Sequence, residues 1–160
     1  MRREAGDLEA PIDLEIVEPN VDRDAVDSTG DVGVVATPYR FYRGTVTISR
    51  SLVTDRQDEY VVAVDQSRRL ALRADTVPDA VSRHLEDGLV LPSEVTDADC
   101  RAMAEQTVFE WAMRSSMLHS SPEIELGPPR DVYKLFWLAE REEGDVIVDS
   151  VDGTERPFDD

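Results

Sequence analysis

Lysine is almost absent from this chain: Lys134 stands alone against sixteen arginines. Cysteine is as scarce, with Cys100 the single thiol, so no intrachain disulfide forms and no cysteine-based metal box exists. Two histidines, His84 and His119, fall short of the three or four clustered ligands a zinc site takes. No stretch approaches ~18 uninterrupted apolar residues, so nothing reads as a membrane span. Residues 1–10 are charged and lack the apolar core of a signal peptide. The glycines form neither a G-x-G-x-x-G fingerprint nor a phosphate loop. Asp145, Asp149, Asp152 and Gly153 lie close together but miss the ligand spacing of a calcium loop. No cofactor and no metal is expected from these residues, and the cytosol is the default location.

What the chain has in excess is acid. Asp and Glu number 35 against 17 Lys and Arg, a net charge of −18 over 160 residues. The excess is not an acidic tail. Residues 1–39 carry a net −7, residues 40–83 a net +2 from eight arginines and six acids, and residues 84–160 a net −13. Carboxylates spread in this way suit molar salt, where the Debye length shrinks to roughly 3 Å and their mutual repulsion becomes tolerable. Scarce lysine agrees, because a long apolar stem is a poor surface group when salt strengthens apolar association. GC-rich coding favours arginine over lysine as well. In composition the chain resembles the cytosolic proteins of salt-loving archaea, a likeness that covers the whole length and carries no functional residue.

A chain of this length suits one domain and removes roughly 70% of its unfolded surface from water on folding. The spacing predicts a mobile segment over 1–10, one α+β domain over 11–151 and a frayed end over 152–160. Ile12, Leu14 and Ile16 alternate with Asp13 and Glu15, as a half-buried strand does. An exposed acidic loop over 22–31 follows. Strands are then expected from Val34 to Val35, over 41–49, over 60–64 as a continuous apolar run, and at Leu70 and Leu72 after a turn at Asp65-Gln66-Ser67-Arg68. Short gaps between them favour antiparallel pairing. Pro78 and Gly88 bracket a short helix over 78–86. Thr96, with Asp99 three residues on, resembles a capping box and opens a long amphipathic helix over about 96–119, its stripe running through Cys100, Met103, Ala104, Thr107, Val108, Trp111 and Leu118. A strand over 131–140, a turn at Glu143-Gly144-Asp145 and a strand over 146–148 complete an antiparallel sheet with one long helix packed across a face.

Candidates for chemistry are few. Cys100 and His119 sit nineteen residues apart on the same predicted helix, about 28 Å along its axis, so they do not meet as nucleophile and base. Cys100 with His84 is open on sequence alone, and Cys100 reads more simply as a small buried apolar group. With 35 carboxylates, any acidic pair is uninformative. The segment Tyr39-Arg40-Phe41-Tyr42-Arg43 is more distinctive, mixing aromatics with guanidinium groups at the head of the arginine-rich middle third. Such a strand can hold an acidic protein partner or a phosphate, or pair internally with the chain's own carboxylates. Nucleic acid is disfavoured, because most of this surface repels it and high salt weakens counterion release. Tyr133, Phe136 and Trp137 form the densest apolar patch, either a central strand covered on both faces or a protein interface.

The leading expectation is a non-enzymatic interaction or assembly protein of a halophile, an oligomeric accessory or structural subunit with Arg40, Tyr42, Arg43 and His84 as ligand- or partner-binding residues. The second is a small ligand-binding domain or enzyme with a pocket between sheet and helix, its polar groups drawn from Arg40, Tyr42 and His84.

Overall fold

A computed structural model describes residues 8–9, 11–49, 55–115 and 122–158. In chain order its elements are β1 (Leu8–Glu9), β2 (Ile12–Val17), a 3-10 turn (Arg23–Ala25), β3 (Gly33–Ile48), β4 (Arg56–Asp65), β5 (Leu70–Ala74), β6 (Ala80–Leu85), β7 (Leu89–Val90), α1 (Asp97–Ser115), β8 (Glu123–Leu126), β9 (Arg130–Ala139), β10 (Val146–Asp149) and β11 (Glu155–Pro157). The architecture is α+β and dominated by sheet. The chain divides into two compact units that exchange segments: Met1–Pro38, Pro78–Ser93 and Val132–Asp160 form the first, Tyr39–Val77 and Glu94–Asp131 the second. No linker composition marks the division, because β3 and β9 each run across it.

In the second unit, β3 pairs antiparallel with β4 from Tyr39↔Asp65 to Ile48↔Arg56, and with β8 from Gly44↔Leu126 to Thr47↔Glu123. β5 lies outside β4, paired from Val61↔Ala74 to Asp65↔Leu70. Strand side chains alternate, so Tyr42, Val46, Ile48, Tyr60, Val62, Val64 and Leu126 share one face and receive α1 there. The helix presents Cys100, Ala104, Val108 and Ala112 at steps of four, all fully or almost fully buried, with Met103 and Trp111 beside them. Small residues on that stripe let the helix lie close to the sheet. Gly44 belongs to the same fit, since a Cβ there would stand 3.2 Å from the Leu126 side chain and 3.5 Å from that of Val108. Thr96 caps α1 as expected: its Oγ1 accepts from the Asp99 amide at 3.1 Å. Residues 116–119 of the predicted helix, Leu118 and His119 included, lie outside the described residues.

In the first unit, β2 pairs antiparallel with β6 from Ile12↔Leu85 to Val17↔Ala80 and parallel with β9 at Ile16↔Tyr133. β10 pairs with β9 and with β11, both antiparallel. β7 runs parallel to the start of β3, with Val35↔Leu89 and Ala36↔Val90, and antiparallel to β1. The core here is Ile16, Val34, Ala36, Leu85, Val90, Leu135, Trp137 and Val148.

Two expectations are corrected. The pairing is mixed rather than wholly antiparallel, because β2 and β7 each find a parallel neighbour that is remote in sequence. The short helix over 78–86 is strand β6. Val81 and Leu85 satisfy helical spacing, but they satisfy strand alternation equally well, and the pairing with β2 buries Leu85. Gly88 is not a helix cap. It turns the chain between β6 and β7 at φ +126°, where a Cβ would stand 2.8 Å from the Val34 carbonyl oxygen. Among the described residues the only helical piece besides α1 is the turn Arg23–Ala25, inside the stretch expected to be an exposed loop. Of the expected mobile segment over 1–10, all but Leu8–Glu9 lies outside the described residues. Within 152–160, Glu155–Pro157 forms β11.

Candidate functional site

Alternation along β3 splits the segment from Tyr39 to Arg43 between two faces. Arg40 and Tyr42 point to the helix face; Tyr39, Phe41 and Arg43 point away from it. Tyr39 and Phe41 stack with ring centroids 6.3 Å apart.

Arg40 is the hub of the helix-face group. Its Nε and Nη2 donate to the two carboxylate oxygens of Asp131 at 2.6 and 3.1 Å, and its Nη1 donates to Asp97 at 2.8 Å. Asp97 opens α1, so one guanidinium ties the start of the helix and the start of β9 to β3. Only 13% of the Arg40 side chain is exposed. The bidentate bond to Asp131, above all, holds its pKa above the ordinary arginine value. The Tyr42 hydroxyl lies beside both the Arg40 guanidinium and the Cys100 thiol. Burial raises the pKa of both the Tyr42 phenol and the Cys100 thiol. For the thiol, burial outweighs the Tyr42 hydrogen bond and the nearby Arg40 charge, so Cys100 stays protonated and is a poor nucleophile. The group is committed internally: each guanidinium nitrogen of Arg40 donates to a carboxylate of its own unit.

Arg43 is exposed on the opposite face, with only a loose contact to Glu59 at 3.8 Å. His84 belongs to the first unit. On β6 it faces Asp13 across the ladder, with Nδ1 2.6 Å from the Asp13 carboxylate and Nε2 3.4 Å from Glu86. The Asp13 hydrogen bond, above all, raises the His84 pKa. The structure thus brings Arg40, Tyr42 and Cys100 together, sets Arg43 on the other face and places His84 in a separate cluster. His119 lies outside the described residues.

The aromatic patch on β9 belongs to the first unit's interior. Phe136 and Trp137 are 6% and 5% exposed, and Tyr133 is half-buried against the core cluster. The Trp137 indole N–H donates to the Val21 carbonyl at 2.8 Å. Lys134, the one lysine, pairs with Asp149 and lies over the Phe136 ring, 5.5 Å from its centroid. Asp149 in turn caps the turn after β10, accepting from the Val151 amide at 2.8 Å and the Asp152 amide at 3.3 Å.

Two features escaped sequence reasoning. Asp65 is fully buried yet well served: Tyr39 donates at 3.2 Å, Arg68 Nε at 2.8 Å, and the Ser67 and Arg68 amides at 3.1 and 3.0 Å. The turn signal at 65–68 was visible, but the depth of its carboxylate depends on Tyr39, which is remote in sequence. Burial and the Asp65 charge push the Tyr39 hydroxyl well above the usual tyrosine pKa. The second feature is strand β5, where Leu70 and Leu72 are 45% and 42% exposed. Their alternation signalled a strand and an apolar face but not that this face meets solvent.

The two buried acids, Asp65 and Asp149, thus each serve a turn. No group of three or more His, Cys, Asp or Glu among the described residues is placed to hold a metal ion. No described helix is long and apolar enough to cross a membrane. The chain matches no protein-family model, no curated protein and no solved structure.

Proposed function

We propose that this protein is a non-enzymatic interaction or assembly subunit that works in concentrated salt. The observation that carries the reading is the contrast between committed polar groups and uncommitted apolar ones. Arg40, Tyr42, Cys100 and Asp65 are bound to one another or to turns, whereas Leu70 and Leu72 on an outer strand face water. The division of charge agrees with it. The second unit carries ten basic and thirteen acidic residues, a net −3, and the first carries seven and twenty-two, a net −15. A strongly acidic unit keeps the chain hydrated and dispersed in molar salt. A nearly neutral unit is where two surfaces approach with little repulsion. Exposed Arg43 and Glu59 would sit at the polar rim of such a contact.

Native purification in molar KCl, followed by a light-scattering mass and identification of co-eluting protein, tests this. A stable multimer or a stoichiometric protein partner is the expected result. A lone chain that instead turns over or binds a small molecule refutes the reading.

A further inference from the structure

We propose that β5 is a self-pairing seam: two copies of this chain join their β5 strands antiparallel about a two-fold axis at Leu72, extending the β3–β4–β5 sheet of the second unit from one copy into the next. This rests on the assembly reading and names its partner.

Among the described residues, the outer strands β6, β8 and β11 are guarded and β5 is not. β6 pairs only with β2 and shows Ser82, Arg83 and His84 to solvent. β8 pairs only with β3 and shows Glu123 and Glu125. β11 pairs only with β10 and consists of Glu155, Arg156 and Pro157, all exposed. Charges and proline at such positions discourage a strand from another chain. β5 pairs only with β4 among the described strands, and it shows two leucines on one face. Its single charge, Arg73, is no guard. The guanidinium lies over the rings of Tyr60 and Trp111, 5.0 and 5.6 Å from their centroids, on the helix side of the sheet.

The sequence around Leu72 is complementary to itself. With Leu72 opposite its own copy, Leu70 meets Ala74 and Arg73 meets Ala71. Just beyond the ends of the strand lie Arg69, in a turn at φ +60°, and Asp75, both exposed, so each end of the seam brings opposite charges near one another. A shift of two residues that centres the axis on Arg73 sets Arg73 against Arg73, like charges that oppose pairing. A slip of one residue would turn the leucines of one copy toward the helix face of the other. Charge therefore disfavours the register centred on Arg73. In molar salt the ion pairs are screened while apolar contact strengthens. The leucines then supply the attraction. A seam of five residues belongs to the class of small, reversible interfaces, so association should depend on concentration.

Sedimentation of the full chain in molar KCl over a range of concentrations tests the seam. The wild-type chain is expected to dimerise. Leu72→Glu should weaken the dimer at least about tenfold with an unchanged circular dichroism spectrum. Leu72→Thr, which keeps strand propensity, replaces it if the glutamate variant misfolds. At lower salt, where the charges are less screened, Arg69→Asp and Asp75→Arg should each weaken association, and the double variant should recover it. A multimer indifferent to these changes overturns the seam and leaves the assembly reading standing. So does a monomer bound to a different protein. A double variant no better than the singles overturns the register. A lone monomer at every concentration overturns the seam, and the assembly reading falls with it when native purification also returns no protein partner.

Discussion

Arg40 and Arg43 stand three residues apart in sequence and look equivalent there, yet they occupy opposite faces of β3 and do different work. Arg40 holds two carboxylates through a planar fork that an ammonium cannot reproduce. Arg40→Lys should therefore lower the unfolding free energy by about 1–2 kcal/mol in denaturant titrations. Arg43→Ala should stay within about 0.5 kcal/mol of wild type, as exposed ion pairs do. An equal loss at both positions would contradict the two-faced strand. Ser150 gives a second test: it is fully buried, and its hydroxyl finds no partner among the described residues. Ser150→Ala should then leave stability unchanged or raise it by up to about 1–3 kcal/mol, measured the same way. His84 supplies the pH dependence. Its pKa is raised in the fold, so its contribution is complete below the unfolded value near 6.5 and fades as pH rises through the folded value. An NMR titration of His84 should return toward the ordinary histidine range in Asp13→Asn; no movement would show that Asp13 is not the cause.

At the scale of elements, legibility followed the range of the interactions. Helix α1 was plain because its evidence is local: a threonine cap, acids in the first turn and an apolar stripe at steps of three and four. Thr96→Ala should cost the protein about 1 kcal/mol, read from its thermal or denaturant midpoint. The hairpins of β3 with β4 and β9 with β10 were plain for the same reason, each closing over a short connection. Strand β6 was misread because its six residues suit either period, and the strand β2 that decides the matter lies some seventy residues earlier. The parallel pairs of β2 with β9 and of β7 with β3 leave no local mark at all. The candidate site behaved in the same way. The strand carrying Arg40 and Tyr42 was evident, but its partners Asp97, Cys100 and Asp131 are brought in by pairing across the unit. The exposure of Leu70 and Leu72 follows from β5 lying outermost, a fact of topology rather than of composition.

For the whole molecule, the −18 charge is divided as −15 and −3 between two units, a partition that no contiguous stretch of sequence displays because the units exchange segments. Lowering KCl from molar to about 0.1 M lengthens the screening distance from roughly 3 Å to about 10 Å, so carboxylate repulsion grows. The thermal midpoint by circular dichroism should fall over that range. Hydrogen exchange should show β9 and β10 of the acidic unit losing protection before α1 and β4 of the other. The most direct test of the account is the light-scattering mass of the wild-type chain and of Leu72→Glu, side by side at one high concentration in molar KCl. The expected mass is near twice that of one chain for the wild type and near that of one chain for the variant. Two equal masses, whether single or double, would contradict it.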